Sequence, residues 1–203
     1  MLSALEVRSI TFRPAMPNDC PHLVLLSDMA TRRMMISFLW GLAAAAGQSA
    51  FEFGRNIILN EKSHFLHHSN WQVAECYGLV AGAVGGYLLP PASDAPSAGI
   101  ELVAGLNELK AMAEGTWYIS AAALYPEFQG HGLGTVLIAE GEAMARAAGK
   151  SRVTLLVNNL NPRAHSLYRR LGFAEWDRRP LPAFPGGEGA SDLILMVKDL
   201  ASI

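Results

Sequence analysis

Eleven residues, Tyr125–Thr135 (YPEFQGHGLGT), constrain this chain more than any other stretch. They set glycines at 130, 132 and 134 behind an alternating apolar run, TWYISAAALY, and ahead of a run with helical spacing from about Gly134 to Ala148. A strand, a glycine-rich turn and a helix in that order bring several backbone N–H groups to one point, beside the positive end of a helix dipole. Glycine removes the side chains that would obstruct an anion there. The turn is therefore a candidate phosphate cradle. The competing reading is a plain connection from strand to helix.

Three phosphate-binding patterns are distinguishable. A nucleoside-triphosphate loop needs a lysine and then Ser or Thr after its last glycine. Gly134 is followed by Thr135 and Val136, so that pattern fails. A dinucleotide loop needs G-x-G-x-x-G and an acidic residue at the end of the next strand. Here the spacing is G-x-G-x-G, and the next strand, SRVTLLVNN, ends in asparagines. The third pattern is Q-x-x-G-x-G, from Gln129 through Gly132 to Gly134. It needs neither lysine nor metal and suits the pyrophosphate of coenzyme A.

The remaining segments give an α/β chain. VRSITFRPA alternates and closes on a proline, as a strand would. Asn18 or Asp19 is placed to cap a helix with Leu23, Leu26 and Met29 or Ala30 inward. Helical spacing predicts a second helix from Thr31 with Met35, Phe38, Leu39 and Leu42 inward, and room for another short helix between Gln48 and Ser69. WQVAECY and LVAGAVGGYLL, linked at Gly78, read as an antiparallel hairpin. PPASDAPSAG is a loop by composition, and IELVAGLNELKAMAEG has helical spacing. SRVTLLV is a strand. NPRAHSLYRRLGF is a helix with Asn161 at its cap, Pro162 in its first turn and Gly172 at its exit. FAEWDRR and SDLILMVKDL complete a mixed sheet.

About half of the 203 residues are apolar and 17% are charged, which predicts one globular domain over residues 1–203. A formal net charge of -2 gives no bulk attraction to nucleic acid or to an anionic membrane. The longest uncharged apolar run, Met34–Gly47, is too short to span a bilayer and reads as a buried helix. The N-terminus carries Glu6 and Arg8 without a long apolar core, so no signal peptide is expected and the setting is cytoplasmic. Cys20 and Cys76 are expected as free thiols.

Two blocks make the sequence resemble the GNAT superfamily of acyl-CoA-dependent N-acyltransferases. One is AAALYPEFQGHGLGTVLI, with Pro126 ahead of Gln129-x-x-Gly132-x-Gly134. The other is NNLNPRAHSLYRRLGF, with Asn161, Ala164, Tyr168 and Gly172-Phe173 in the family's order. One helix and one strand separate them, as in the family, and the hairpin and the start ITFRPAMPND fit it too.

The resemblance implies an α/β (α+β) fold: a mostly antiparallel mixed sheet with two splayed parallel central strands and flanking helices. It implies acetyl-CoA as acyl donor, no metal, and direct attack by an amine of a small molecule or peptide; a homodimer is a family-level expectation. Backbone groups of Ala122 and Leu124 would pair with pantetheine amides, and the N–H of Leu124 would face the oxyanion. Amides of Gln129, Gly130, His131, Gly132, Leu133, Gly134 and Thr135 would hold the pyrophosphate, with His131 and Leu133 less constrained than the glycines. Asn161 would bond the pantetheine arm. Tyr168, on one helical face with Asn161, Ala164 and His165, would be the general acid for the thiolate. Some members carry a glutamate base where this chain has Tyr118, leaving Glu75, Glu114, a water relay or a predeprotonated amine as bases.

Other features have plainer readings. His64, His67 and His68 (HFLHH) have i, i+3, i+4 spacing but no acidic or cysteine neighbour, so a solvated helix face outweighs a metal site. Arg163, Arg169 and Arg170 suit an exposed face and a C-terminal turn. Trp71, Trp117, Tyr118 and Trp176 fit either an acceptor pocket or the core.

Overall fold

The computed structural model describes residues 10–91 and 103–201. The first strand's opening residues and most of the PPASDAPSAG loop lie outside them. Seven strands follow the order β1-β2-β3-β4-β5-β7-β6. They are β1 (Ile10–Pro14), β2 (Trp71–Cys76), β3 (Leu79–Leu88), β4 (Trp117–Leu124), β5 (Arg152–Asn158), β6 (Ala174–Leu181) and β7 (Ser191–Asp199). β1–β2, β2–β3, β5–β7 and β6–β7 are antiparallel, and β4–β5 is parallel. The helices are α1 (Cys20–Ala30), α2 (Trp40–Ala43), α3 (Ala50–Asn60), α4 (Ala104–Met112), α5 (Leu133–Ala147) and α6 (Pro162–Arg170). The chain forms two compact units, and β3, β4 and α5 each contribute to both.

The first unit holds β1 to Gly86 of β3, Ser120–Gly141 and Pro185–Gly187. Its core gathers Cys20, Leu23, Val24 and Leu26 of α1 with Ile58 of α3, Trp71 and Val73 of β2, and Ala121 of β4. Burial of such side chains is worth about 1.5–3 kcal/mol each for the large aliphatic ones. Tyr77 (φ 51°) and Gly78 (φ 75°) form the two-residue hairpin turn, whose left-handed positions match the strand twist. α3 begins with a reciprocal cap: Ser49 Oγ accepts from the Glu52 N–H, and the Glu52 carboxylate accepts from the Ser49 N–H. Cys20 and Cys76 are buried thiols, not joined by a disulfide.

The predicted helix from Thr31 takes another form. Arg32 and Arg33 are left-handed (φ 53° and 72°), and Met35–Leu39 is a π-helical turn before the short α2. The widened turn changes the face presented. Trp40 is buried, packed on Gly54 of α3, whereas Leu42 is 61% exposed.

Asp19 precedes α1 without capping it by its side chain. Its carboxylate accepts from the Met16 N–H at 2.7 Å and takes both Arg13 guanidinium nitrogens, at 2.7 and 2.9 Å. Arg13 also donates to Glu75 at 2.8 Å. The Arg13 hydrogen bonds hold the Asp19 carboxyl below its ordinary range. The stabilisation is therefore present above the unfolded value, about 3.9, and is lost as pH falls through the depressed folded value. Arg13→Met is expected to cost ~1–3 kcal/mol at pH 7. In thermal melts the gap to wild type should narrow at acid pH; a gap constant with pH would refute the linkage.

The second unit holds Tyr87–Ile119, Glu142–Phe184 and Glu188 onward. β5, β7 and β6 pair continuously, with Leu155, Leu195 and Met196 buried. α4 packs on β6 and β7, and its Leu109 is fully buried. Thr116 and Thr154 share a buried hydroxyl hydrogen bond of 2.7 Å. Lys198 of β7 donates to Glu142 of α5 at 2.5 Å, which pairs a largely buried carboxylate.

Candidate active site

The parallel ladder of β4 and β5 has three register pairs: Trp117 with Val153, Tyr118 with Thr154, and Ile119 with Leu155. β4 then continues to Leu124, while β5 continues to Asn158 paired with β7. Ser120, the first residue of β4 after the last pair, has a buried hydroxyl without a hydrogen-bond partner, as does the indole N–H of Trp117. Trp117 stands among the aromatic pocket-or-core candidates of the sequence, whereas nothing in the sequence marks Ser120, because a hydroxyl's lack of partners is a tertiary property.

In the first unit, β4 ends in the 3-10 turn Pro126–Phe128, anchored by buried Phe128. Gly130 (φ 84°) and Gly132 (φ 81°) are left-handed, and α5 starts at Leu133. Gln129, Gly130, His131, Gly132 and Thr135 are exposed and Gly134 is half-buried. The Gln129 and Thr135 N–H groups donate within the loop, to the Pro126 and Gly132 carbonyls at 3.2 and 3.1 Å, and the chain leads into the start of α5, where the first N–H groups of a helix lack intrahelical partners. A Cβ at Gly132 would meet no atom within 4 Å, so backbone conformation, not crowding, requires glycine in the free protein. Leu133 departs from expectation: its side chain is 4% exposed and tied into the core. The side chain of Gln129 turns back, its Nε2 donating to the Leu124 carbonyl at 2.8 Å. That bond ties the loop to the end of β4 and occupies one acceptor position of the Leu124 carbonyl.

Gly132→Ala is expected to strain the loop by ~1 kcal/mol or more and to weaken coenzyme A binding at least several-fold, with a small change in Tm. Calorimetric titration with coenzyme A checks it, and unchanged affinity would remove the loop from the site.

In the second unit, Asn161 caps α6, its Oδ1 accepting from the Ala164 N–H at 3.2 Å. Gly172 (φ 90°) closes the helix, and the Phe173 N–H bonds back to the Tyr168 carbonyl. The Tyr168 ring lies 6.0 Å from that of Phe173, and loss of water pushes its phenol up to about 12. Tyr118 is 5% exposed and meets Tyr87 edge to face at 5.6 Å. Desolvation raises its phenol well above the ordinary value, and the Tyr87 and Tyr168 phenols add to the shift. Tyr118 and Tyr168 both lie in the second unit. Both are neutral donors at ordinary pH.

The chain matches the Acetyltransferase (GNAT) family over residues 40–173. It belongs to that family. Two mycothiol acetyltransferases are similar in part: that of Saccharopolyspora erythraea is 37% identical over 73 residues, 36% of this chain and 24% of its own length. That of Renibacterium salmoninarum is 36% identical over 67 residues, 33% and 20% respectively. The matched stretches therefore span about a quarter or less of these relatives. The fold is also that of a GNAT acetyltransferase from Streptococcus pneumoniae, with TM-score 0.58 and 20% identity over 95% of this chain and 100% of that one. yncA from Salmonella typhimurium, solved with its cofactor acetyl-CoA, gives 0.58 and 19% over 96% of each chain.

Within a GNAT frame, several other predicted features move. Trp71 is core, its indole donating to the Leu66 carbonyl at 3.0 Å, whereas Trp176 is 41% exposed on β6. Glu75 is taken by Arg13. Glu114 is exposed just beyond α4. The histidine segment is not a helix face: only His68–Asn70 makes a 3-10 turn, and His67 is buried. His64 Nδ1 accepts from the Leu66 N–H, and His67 bonds Ser69. Arg163, Arg169 and Arg170 are exposed. Among the described residues no helix is long and apolar enough to cross a membrane.

Proposed function

We propose that this GNAT protein is an N-acetyltransferase that moves the acetyl group of acetyl-CoA to a primary amine by direct attack. The observation that carries the reading is the Gln129–Thr135 loop, with left-handed Gly130 and Gly132 feeding the N-terminus of α5. Its amides would hold the pyrophosphate. Main-chain groups of Ala122 and Leu124 would pair with the pantetheine as an added strand does. The N–H of Leu124 would donate to the oxyanion. Asn161 spends Oδ1 on its own helix, so its Nδ2 amide N–H would donate to the pantetheine arm. Tyr168 would protonate the departing thiolate. The domain is read as one unit of function over residues 1–203, acting in the cytoplasm without a metal, on a small-molecule or peptide amine.

The experiment is an acceptor screen with acetyl-CoA that follows release of the free thiol. Thiol release that depends on one class of amine supports the reading. A second reading, a non-catalytic acyl-CoA-binding module, is favoured by Tyr118 standing where a carboxylate base would be. It predicts acetyl-CoA binding without thiol release across the panel.

A further inference from the structure

Tyr125 stands where β4 hands the chain to the glycine loop, and four elements meet on it. Its N–H donates to the Ala81 carbonyl of β3 at 2.9 Å. Its own carbonyl accepts from the Phe128 N–H at 2.9 Å, closing the turn that leads to Gln129. Its ring continues the row of Ala121 and Ala123 along one face of β4 and packs on the core around α1. There its hydroxyl meets Nδ1 of His22 at 2.8 Å, with the two rings edge to face at 5.8 Å. All of these residues belong to the first unit.

Helix α1 is a fixed partner for that hydroxyl. Cys20, Leu23, Val24 and Leu26 anchor the helix in the core. Asp19, just before it, is held by Arg13 and by the Met16 N–H. His22, in the first turn, therefore has little freedom to follow Tyr125 if the loop moves. The contact survives a change of charge on the ring. A neutral imidazole accepts from the phenol at Nδ1, and a protonated one donates from Nδ1–H to the phenol oxygen.

We propose that His22 is a positioning residue for coenzyme A, holding the Gln129–Thr135 loop in its binding arrangement through Tyr125. The proposal rests on the acetyl-CoA reading of that loop. The side chain of Gln129 ties back to Leu124, one residue before Tyr125, so the entry of the loop hangs on this pair of residues. A small rotation at Tyr125 would swing every amide that follows, through left-handed Gly130 and Gly132 to the start of α5. Without the hydroxyl contact the loop would spend part of its time in arrangements that do not bind, and apparent affinity falls by the competent fraction. Saturating acetyl-CoA restores the arrangement, so the effect belongs in KM and not in kcat.

The test uses the full chain, calorimetric titration with acetyl-CoA, and steady-state rates with an acceptor that supports thiol release. Tyr125→Phe keeps the ring and removes the hydroxyl. It should weaken acetyl-CoA binding by about 3–10-fold, the worth of one hydrogen bond, and raise KM for acetyl-CoA to match, with kcat within about twofold of wild type. Tm should stay near wild type. His22→Leu should weaken binding to the same degree. The double variant should be no weaker than either single one, since all three lack the same contact. His22→Asn, whose side-chain oxygen stands where Nδ1 does and accepts from the phenol, should recover most of the affinity. Wild-type affinity in Tyr125→Phe, additive losses in the double variant, or a fall in kcat with KM unchanged would overturn the role of His22. A wild-type chain that does not bind acetyl-CoA would remove the reading of the loop itself, and the proposal with it.

Discussion

Tyr168→Phe is expected to lower kcat by about 10²–10⁴-fold, the usual worth of a positioned acid, while leaving acetyl-CoA affinity nearly unchanged. The substitution removes one hydroxyl and keeps the ring that packs 6.0 Å from Phe173, so the fold is not expected to suffer. With its phenol pushed up to about 12, Tyr168 stays protonated through the working range. An acid must carry its proton, so the raised value predicts no alkaline loss of activity from Tyr168 below that pH. The same shift has a cost. Full transfer to a thiolate whose conjugate acid is near 8.5 is uphill by roughly 3–4 pKa units, about 5 kcal/mol. The phenol therefore gives its proton to sulfur only as another replaces it from the nitrogen of the collapsing intermediate, so that no free phenolate forms, and its effect should fall on kcat. Steady-state rates paired with calorimetric acetyl-CoA binding separate the two quantities. Unchanged turnover in the variant would exclude the acid role.

How much of this was legible depends on whether a signal was local. The hairpin linked at Gly78, the Asn161-Pro162 start and the Gly172 stop of α6 follow from backbone chemistry carried by those residues, and the structure bears them out, with Tyr77 joining Gly78 in the turn. The cap of α3 was equally local, since Ser49 and Glu52 have capping-box spacing, yet the segment read only as room for a short helix. The stretch after Thr31 failed for a physical reason. Inward positions at i, i+3 and i+4 assume 3.6 residues per turn, and the π turn at Met35–Leu39 breaks that count, burying Trp40 and exposing Leu42. At the site, the glycine loop and the Asn161–Tyr168 helix were visible as motifs. The meeting of Tyr87 with Tyr118 was not, because nothing local to either strand says that rings from β3 and β4 will face each other. The engagement of Glu75 by Arg13 was hidden in the same way: the partners meet only across the β1–β2 ladder.

Gly82→Ala is expected to injure both stability and coenzyme binding, because the obstruction it meets is main chain. A Cβ at Gly82 would overlap the Ala123 carbonyl oxygen and stand 3.0 Å from the Leu124 Cα. No rotamer change relieves that contact, so β3 or the end of β4 must move. Overpacking of this kind costs ~1–3 kcal/mol, roughly 3–10 °C in Tm for a chain of this length. The displaced stretch contains Leu124, whose N–H is proposed to face the oxyanion and whose carbonyl ties down Gln129. Acetyl-CoA binding and kcat should therefore fall together in the protein that remains folded. Gly54→Ala gives the contrast. Its Cβ would strike the Trp40 ring at 2.5 Å, a side-chain clash between α3 and α2. It should lower Tm comparably and leave acetyl-CoA affinity per folded molecule intact. Thermal melts with calorimetric titration below the transition distinguish the two. If Gly82→Ala binds acetyl-CoA as tightly as Gly54→Ala does, the end of β4 is not part of the coenzyme site.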